Sequence, residues 1–273
     1  CCAKLSEAEA LAAAGLASLL LTSPVVGGRR IDRLVALAAK CRDLMLVIDA
    51  PGNLRDIAAA AASAGCSLGV PIDVDVGQQR TGITAPRQAL ELAEIIAASP
   101  NLRFKGIQGY AGQVQHIADF AERRRASSES LQQLAAVRDA LEAAGHRCPI
   151  VTGGGTGSHA IDPAGGVLNE LQVGSYTVCD VEYDACDLTG DGSRRFRNGL
   201  FVYARVVSAR HAGFVTIDAG SKSLSMDGPP PAVAFGAPEG TTYSCVGDEF
   251  GRLTLPAGSP APIFSRSAPT KSR

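Results

Sequence analysis

Short apolar segments alternate with alanine-rich helical segments along the first two thirds of the chain, and this alternation restricts the fold more than any other feature. Strands that alternate with helices form a parallel sheet with helical crossovers. The pattern predicts strand ends near positions 4, 22, 49, 76, 110, 152 and 174. Seven such units predict an α/β fold, a (β/α)8 TIM-type barrel that lacks its first strand. We expect the missing strand to lie before Cys1.

The character of the sequence changes after Asp180, where short β-type segments follow one another between Gly, Pro and Asp turns. This change predicts a small, partial β domain over residues 195–255, after a barrel domain over residues 1–190. Residues 256–273 are rich in Pro, Ser and Ala and predict a disordered tail.

Composition excludes several classes of protein. The net charge of −1 argues against nucleic acid or an anionic membrane as the main partner. No apolar run reaches the length of a bilayer span. The eight cysteines are scattered, which favours reduced thiols and a cytoplasmic protein over a disulfide framework.

A glycine-rich stretch follows the predicted strand at Ile150 and Val151, and residues 152–158 read TGGGTGS. Glycines allow successive N–H groups to converge on one point, and the usual ligand of such a loop is a phosphate. An ordinary glycine-rich turn is the alternative. No Lys follows the glycines, and their spacing differs from the dinucleotide fingerprint. The candidate ligand-binding residues are Thr152, Gly154, Gly155, Thr156, Gly157 and Ser158.

Polar residues also follow the other predicted strands, at the edge where an α/β barrel keeps its active site. Arg80 either contacts a ligand or neutralises the carboxylates of Asp73 and Asp75. Tyr110 could stack on an aromatic cofactor, whereas Gln115 and His116 after it could equally be a helix cap and a surface residue. Near the last strand, Gly174, Ser175 and Tyr176 could complete a phosphate site, and Asp180 is a further candidate for substrate binding.

Six motifs, in order along the chain, resemble the D-threonine aldolase and D-serine dehydratase family. These are fold-type III pyridoxal-phosphate enzymes related to alanine racemase. The resemblance runs from Cys1 to about Gly251. The motifs are CCAKLSEAEAL, IDVDVGQQRTGI, GIQGYAGQVQHI, VTGGGTGS, ELQVGSY and DAGSKSLSMDGPP.

The resemblance implies a pyridoxal-phosphate barrel followed by a β domain. It implies that residues 152–158 and 174–176 hold the cofactor phosphate, and that Arg80 and Tyr110 lie around the pyridine ring. The implied reaction is retro-aldol cleavage of a D-3-hydroxy amino acid to glycine and an aldehyde. A D-serine dehydratase, a non-catalytic pyridoxal-phosphate-binding remnant and a phosphosugar-type barrel enzyme remain open alternatives. The oligomeric state is also open, with a homodimer among the options.

Two departures from the family pattern accompany the resemblance. The family's coenzyme-binding lysine lies on the first barrel strand, upstream of anything present here. The family's divalent metal, Mn or Zn, is held by a His two residues before an Asp or Cys, and no such pair follows residue 211. We therefore expect a fragment or a truncated gene product that is inactive, or nearly so, alone. The catalytic residues stay unknown, and no metal ligand is predicted.

Overall fold

The computed structural model describes residues 1–259 and divides the chain into two compact units. Unit 1 comprises Cys1–Tyr176 and Cys186–Arg195, and unit 2 comprises Thr177–Ala185 and the chain from Phe196 onward. The last passage between the units, at residues 195 and 196, lies close to the predicted boundary, but the short segment Thr177–Ala185 belongs to unit 2. Most of the predicted tail, 256–273, lies outside the described residues.

Unit 1 is built on a parallel sheet whose strands follow one another in chain order, which confirms the predicted barrel-type alternation. The first of the seven predicted strand ends, near position 4, is not part of a strand: only a single parallel bridge between Cys2 and Leu21 extends the sheet there. The strands are β1 Ser18–Leu21, β2 Asp43–Leu46, β3 Leu68–Asp73, β4 Leu102–Gly109, β5 Ile150–Gly153 and β6 Glu170–Leu171. The crossover helices are α1 Leu5–Ala13, α2 Gly28–Ala38, α3 Pro51–Ala64, α4 Pro86–Ala97 and α5 Phe120–Ala143.

The two faces of this sheet bury different residues, because side chains alternate along a strand. Leu19 and Leu21 belong to the large apolar core that also contains the buried sides of the helices. Leu20 belongs to a small second cluster with Met45 and Val47. A polar residue, Gln108, replaces apolar side chains near the C-terminal end of β4, where it is 1% exposed.

Helix α5 is the longest in unit 1 and begins at an N-cap, Asp119, whose carboxylate accepts the N–H of Glu122 at 2.7 Å. Its buried positions recur every three or four residues, as expected for a helix with one face on a core. The apolar members of that face lie in its C-terminal half, and the buried Arg123 and Ser127 occupy the same face at its N-terminal end. This placement brings two polar side chains under the glycine-rich stretch.

Unit 2 is a small antiparallel sheet with strand order β7-β8-β10-β9 and one short helix, α6 Val181–Asp184. Its strands are β7 Val206–Ser208, β8 Phe214–Ile217, β9 Thr242–Cys245 and β10 Gly251–Thr254. Within residues 1–259, every helix is too short or too polar to span a bilayer.

Candidate functional site

The glycine-rich stretch leaves β5 at Gly153 and forms a loop whose residues, 154 to 158, are all buried. Gly154 has a φ of +64°, a backbone conformation that residues other than glycine rarely adopt. Gly157 allows a close approach, since a Cβ there would lie 2.0 Å from the carbonyl oxygen of Gln115. Both glycines are therefore needed for the loop to pack closely against the segment that contains Gln115 and against Asp162.

Two fully buried side chains hold the loop from behind. The Oε1 of Gln115 accepts the N–H of Gly157 at 2.9 Å, and its Nε2 donates to the hydroxyl of Ser158 at 3.1 Å. The Nε of Arg123 donates to the carbonyl of Gly157 at 2.7 Å. Its other nitrogens donate to the carbonyls of Ile117 and Asp187, so one guanidinium links the loop to two other segments.

The N–H groups of the loop fall into two alternating sets. Those of Gly155 and Gly157 are used within the protein, by the Ser158 hydroxyl at 3.2 Å and by Gln115. None of the hydrogen bonds within residues 1–259 uses the N–H of Gly154 or of Thr156. Backbone donors that are not used internally in a buried glycine loop suit an anion such as a phosphate.

The segment after β6 meets this loop, as the sequence predicts. The N–H of Tyr176 donates to the Thr156 hydroxyl oxygen at 3.0 Å, which joins the two predicted halves of the phosphate site. Ser175, the residue before, begins a short 3₁₀ turn. Thr152 is also buried, but its hydroxyl donates to the Glu170 carboxylate at 2.8 Å.

Arg80 and Tyr110, from the loops after β3 and β4, lie together. The guanidinium carbon of Arg80 is 5.7 Å from the centre of the Tyr110 ring, within the range of a cation–π contact. Burial raises the pKa of the Tyr110 hydroxyl, and the charge of Arg80 opposes that rise. Arg80 is exposed and Tyr110 is half-buried, so both can meet a ligand from solvent.

Two glutamines connect these loops to each other. The Oε1 of Gln78 accepts the N–H of Gly112 at 3.1 Å, and the Nε2 of Gln113 donates to the carbonyl of Val76 at 3.1 Å. Each side chain thus crosses to the other loop. This reciprocal pairing fixes the spacing between the backbones that carry Arg80 and Tyr110.

A chain of polar side chains crosses the same face of the sheet as the second apolar cluster. The Nε2 of Gln108 donates to the Asp73 carboxylate at 2.8 Å and to the carbonyl of Thr22, the residue after β1, at 3.2 Å. Its Oε1 accepts from Gln172 at 2.9 Å, and Gln172 also donates to Thr152 at 3.2 Å. The chain satisfies polar groups between β1 and the end of β6 without charge pairs.

Asp73 is the ionisable member of this chain. Burial raises the pKa of its carboxyl, and the charge of Asp49 adds to the rise. Hydrogen bonds from Thr81, at 2.7 Å, and from Gln108 act in the opposite direction. An ion pair with Arg80, which the sequence left open as an alternative, is not the main interaction of Asp73 or of Asp75. Instead, Asp75 accepts the backbone N–H groups of Gly77 and Gln79 at 3.0 Å.

Three predicted substrate-binding residues occupy different settings. Gln115 is 1% exposed and uses its amide entirely within unit 1, with a third bond to the carbonyl of Ala111. His116 is exposed in unit 1. Asp180 belongs to unit 2, where its carboxylate caps α6 by accepting the N–H groups of Glu182 and Tyr183. A substrate contact by any of the three stays a prediction.

Three polar residues behind the loop were not predicted from the sequence: Arg123, Ser127 and Asp162. Both oxygens of the buried Asp162 carboxylate accept hydrogen bonds from hydroxyls, one from Ser127 and one from Ser158. A signal for two of them existed, since extending the helical period backward from Leu131 reaches Ser127 and Arg123. Residues 123–125 are three consecutive arginines, which suggests exposure to solvent, but the helical period places the first of them on the buried face. Nothing comparable marked Asp162.

The fold and the site together define an α/β-barrel-type protein with a candidate anion site at the C-terminal edge of its parallel sheet. The chain belongs to the family described as alanine racemase, N-terminal domain, which matches residues 1–180. Residues 199–267 match a second family, described as a putative serine dehydratase domain. These matches confirm the family resemblance expected from the motifs.

Similar proteins agree with this assignment. The chain is 38% identical over 237 residues to a 3-hydroxy-D-aspartate aldolase of Paracoccus denitrificans (strain Pd 1222), covering 85% of this chain and 61% of that protein. It is 37% identical over 262 residues to a D-threonine aldolase of an Arthrobacter species, covering 96% of this chain and 68% of that protein. The crystal structure of D-threonine aldolase from Filomicrobium marinum superposes with a TM-score of 0.87 at 34% identity, covering 93% of this chain and 67% of that one. The chain thus spans about three fifths to two thirds of the length of these relatives.

Proposed function

We propose that the protein to which this chain belongs is a pyridoxal-phosphate-dependent lyase that acts on D-3-hydroxy amino acids in the manner of a D-threonine aldolase. It would cleave its substrate to glycine and an aldehyde. The observation that carries the proposal is the junction of two loops, Tyr176 N–H to Thr156 Oγ1 at 3.0 Å, beside the N–H groups of Gly154 and Thr156, for which the described part of the chain, residues 1–259, supplies no acceptor. Two aldolases of D-3-hydroxy amino acids among the relatives support the substrate class.

The residues present fit the coenzyme. The N–H groups of Gly154 and Thr156, together with the backbone of Gly174 and Ser175, would hold its phosphate, since backbone dipoles at a buried site stabilise an anion. The Thr156 hydroxyl accepts from Tyr176, so its own hydrogen can be donated to a phosphate oxygen. When bound, pyridoxal phosphate supplies an electron sink for the bond cleaved next to the substrate amino group.

Arg80 and Tyr110 would border the ring of the coenzyme. The Tyr110 ring offers a flat apolar surface, and the Arg80 guanidinium provides a positive charge at the edge of the same space. The Gln78 and Gln113 side chains would keep that space constant by tying the two loops together. These residues therefore bind and orient, and we assign none of them a proton transfer.

The divalent metal expected from the family resemblance has no part in this proposal. His146 and Cys148 have the His-x-Cys spacing, but they precede β5 at the opposite end of the sheet from the glycine loop. Burial also raises the pKa of the Cys148 thiol to about 11. We assign no metal ligand within this chain and derive no step that depends on one.

A dehydratase that releases ammonia from a D-hydroxy amino acid is the second candidate. The match of residues 199–267 to the putative serine dehydratase domain favours it. The same residues would hold the coenzyme for both reactions. The bond broken in the substrate, carbon–carbon or carbon–oxygen, distinguishes them, and so do the products, glycine or a keto acid.

The first test measures coenzyme binding by the 273-residue chain. Absorbance titrations with pyridoxal phosphate and with pyridoxal, which lacks the phosphate, give the two affinities. We expect the phosphate form to bind at least about tenfold more tightly, because a satisfied charged hydrogen bond contributes about 1.5–3 kcal/mol. Gly157→Ala should abolish that preference, since its Cβ would lie 2.0 Å from the Gln115 carbonyl oxygen. Gly52→Ala, where a Cβ meets nothing within 4 Å, is the matched control. Equal affinity for the two compounds would contradict the proposal.

A second measurement addresses the reaction and the coenzyme-binding lysine. Glycine released from D-threonine but not from L-threonine would support the aldolase, and a keto acid formed from D-serine would favour the dehydratase. Borohydride treatment followed by peptide mapping would show whether Lys4 or Lys222 holds the coenzyme. We expect neither, since Lys222 is 63% exposed and paired with Glu249, and a nucleophilic lysine must be desolvated.

A further inference from the structure

The Ser158 hydroxyl is the centre of the polar cluster behind the glycine loop. Its oxygen accepts the N–H of Gly155 at 3.2 Å and the Nε2 of Gln115 at 3.1 Å, and its hydrogen is donated to Asp162. A hydroxyl has one hydrogen and two lone pairs. Ser158 is therefore saturated within the protein, and its hydroxyl serves the loop's own structure.

Asp162 decides in which direction this hydroxyl points. The carboxylate lies behind the loop at 1% exposure, and a Cβ on Gly154 would lie only 2.3 Å from its Oδ2. An ionised carboxylate can only accept hydrogen bonds. The Ser158 hydroxyl must therefore donate to Asp162, which leaves both of its lone pairs for Gly155 and Gln115.

The charged and polar groups around Asp162 fit this arrangement. Burial raises the pKa of its carboxyl, while the hydroxyls of Ser127 and Ser158 and the charge of His159 lower it. Arg123 contributes a second buried charge on the same side of the loop, where it binds the carbonyl of Gly157. The loop is therefore bonded at the Gly157 carbonyl by a guanidinium, and at the Gly155 N–H by a hydroxyl that a carboxylate orients.

We infer that Asp162 is a positioning residue for a phosphate group: through Ser158 it holds the Gly155 N–H inward, so that the N–H groups of Gly154 and Thr156 stay available to the ligand. The inference rests on the proposed function, because it assumes that the ligand of the loop carries a phosphate. It concerns a residue that would not touch the ligand. Its role would be to decide which peptides of the loop do.

The test compares pyridoxal phosphate with pyridoxal on variants of the full 273-residue chain. Asp162→Ala removes the acceptor, so the Ser158 hydroxyl can turn and the Gly155 N–H loses its fixed partner. We expect affinity for pyridoxal phosphate to fall about tenfold, as for loss of one hydrogen bond of about 1.4 kcal/mol, with affinity for pyridoxal within about twofold of the parent.

Two further variants separate positioning from general stability. Asp162→Asn can still accept a hydrogen bond from Ser158 if its amide nitrogen faces the Ser127 hydroxyl. Its preference for pyridoxal phosphate over pyridoxal should therefore fall no more than half as far as in Asp162→Ala. Ser127→Ala removes the other hydroxyl but leaves Ser158 bonded to Asp162, and we expect the preference of the parent chain. Should Asp162→Ala fail to fold, Ser158→Ala releases the same Gly155 N–H and takes its place.

Each outcome distinguishes the inference from the proposed function. If the parent chain shows no preference for pyridoxal phosphate over pyridoxal, the proposed phosphate site itself is overturned. If the parent chain shows that preference and the Asp162→Ala variant keeps it, the inference alone is overturned. Equal loss of affinity for both compounds would likewise overturn it, since that pattern describes a residue that only stabilises the fold.

Discussion

The two sides of the candidate site are built in different ways. The glycine loop after β5 is buried and is supported by side chains that solvent does not reach, among them Arg123 at 0% exposure. The loops after β3 and β4 carry an exposed Arg80 and a half-buried Tyr110, and glutamine side chains at the surface of unit 1 tie them together. On the first side buried hydrogen bonds orient the backbone itself, whereas on the second side the backbone spacing is fixed and the exposed Arg80 side chain can change rotamer.

The difference follows from what each side offers to a ligand. Backbone N–H groups bind an anion well only if the peptides are already oriented, because reorienting them on binding reduces affinity. Side chains such as Arg80 can change rotamer with little effect on the fold. We therefore expect substitutions behind the glycine loop to affect stability and binding strongly, and substitutions at Arg80 to have only a small effect on stability.

The largest expected effect is that of Arg123→Ala. It removes donors from the carbonyl of the buried Gly157 and from the carbonyls of the half-buried Ile117 and Asp187. A buried carbonyl left unpaired costs about 1–3 kcal/mol and the two half-buried carbonyls add to it, so we expect the free energy of unfolding to fall by about 3 kcal/mol in urea denaturation. Arg124→Ala, at the next and exposed position of α5, should change it by less than about 0.5 kcal/mol. Equal effects of the two variants would remove the contrast between the buried and exposed sides.

A smaller, pH-dependent effect is expected for Asp73→Asn. Because the pKa of Asp73 is raised in the folded protein, the folded state binds more protons than the unfolded state between about pH 4 and the folded pKa. Stability contributed by this group therefore falls as pH rises through that window. Asp73→Asn lacks the group, so its free energy of unfolding relative to the parent should increase with pH and then level off.

Thr81→Val sharpens the same measurement. It removes the hydroxyl that donates to Asp73 and lowers its pKa, so the folded pKa should rise further and the window should extend to higher pH. Unfolding curves recorded at several pH values for the parent and both variants would check the sign. A difference between Asp73→Asn and the parent that is constant with pH would contradict the expectation.

The smallest effect is expected on the adaptable side. Arg80→Met removes a charge that lowers the pKa of Tyr110, so ultraviolet absorbance titration should show that phenol ionising at higher pH. The loss in stability should be about 0.5–1 kcal/mol, the contribution of an exposed cation–π contact. Tyr110→Phe identifies the signal, and Arg87→Met on the exposed side of α4 should leave it unchanged. An unaltered Tyr110 titration in Arg80→Met would show that the two groups do not interact in solution.

Much of the fold was predictable because it depends on local patterns. The alternation of apolar strands and helices predicted every strand of unit 1, and glycine at residues 153–155 marked the loop after β5. Prediction was weaker where a residue's role depends on distant partners. Gln115 follows β4 in the chain, and its amide bonds Gly157 and Ser158, more than forty residues away, which no local pattern indicates.

The sequence by itself determined the parallel sheet, the family and the loops that border the candidate site, because strand and helix periods and glycine spacing are properties of neighbouring residues. Only the tertiary structure decided which N–H groups of the glycine loop are used internally, and that Arg123 and Asp162 stand behind it. Those facts depend on side chains from α5 and from the segment after the loop meeting in a dry interior. Which groups form hydrogen bonds there depends on their proximity in three dimensions, and their separation along the sequence says little about that proximity.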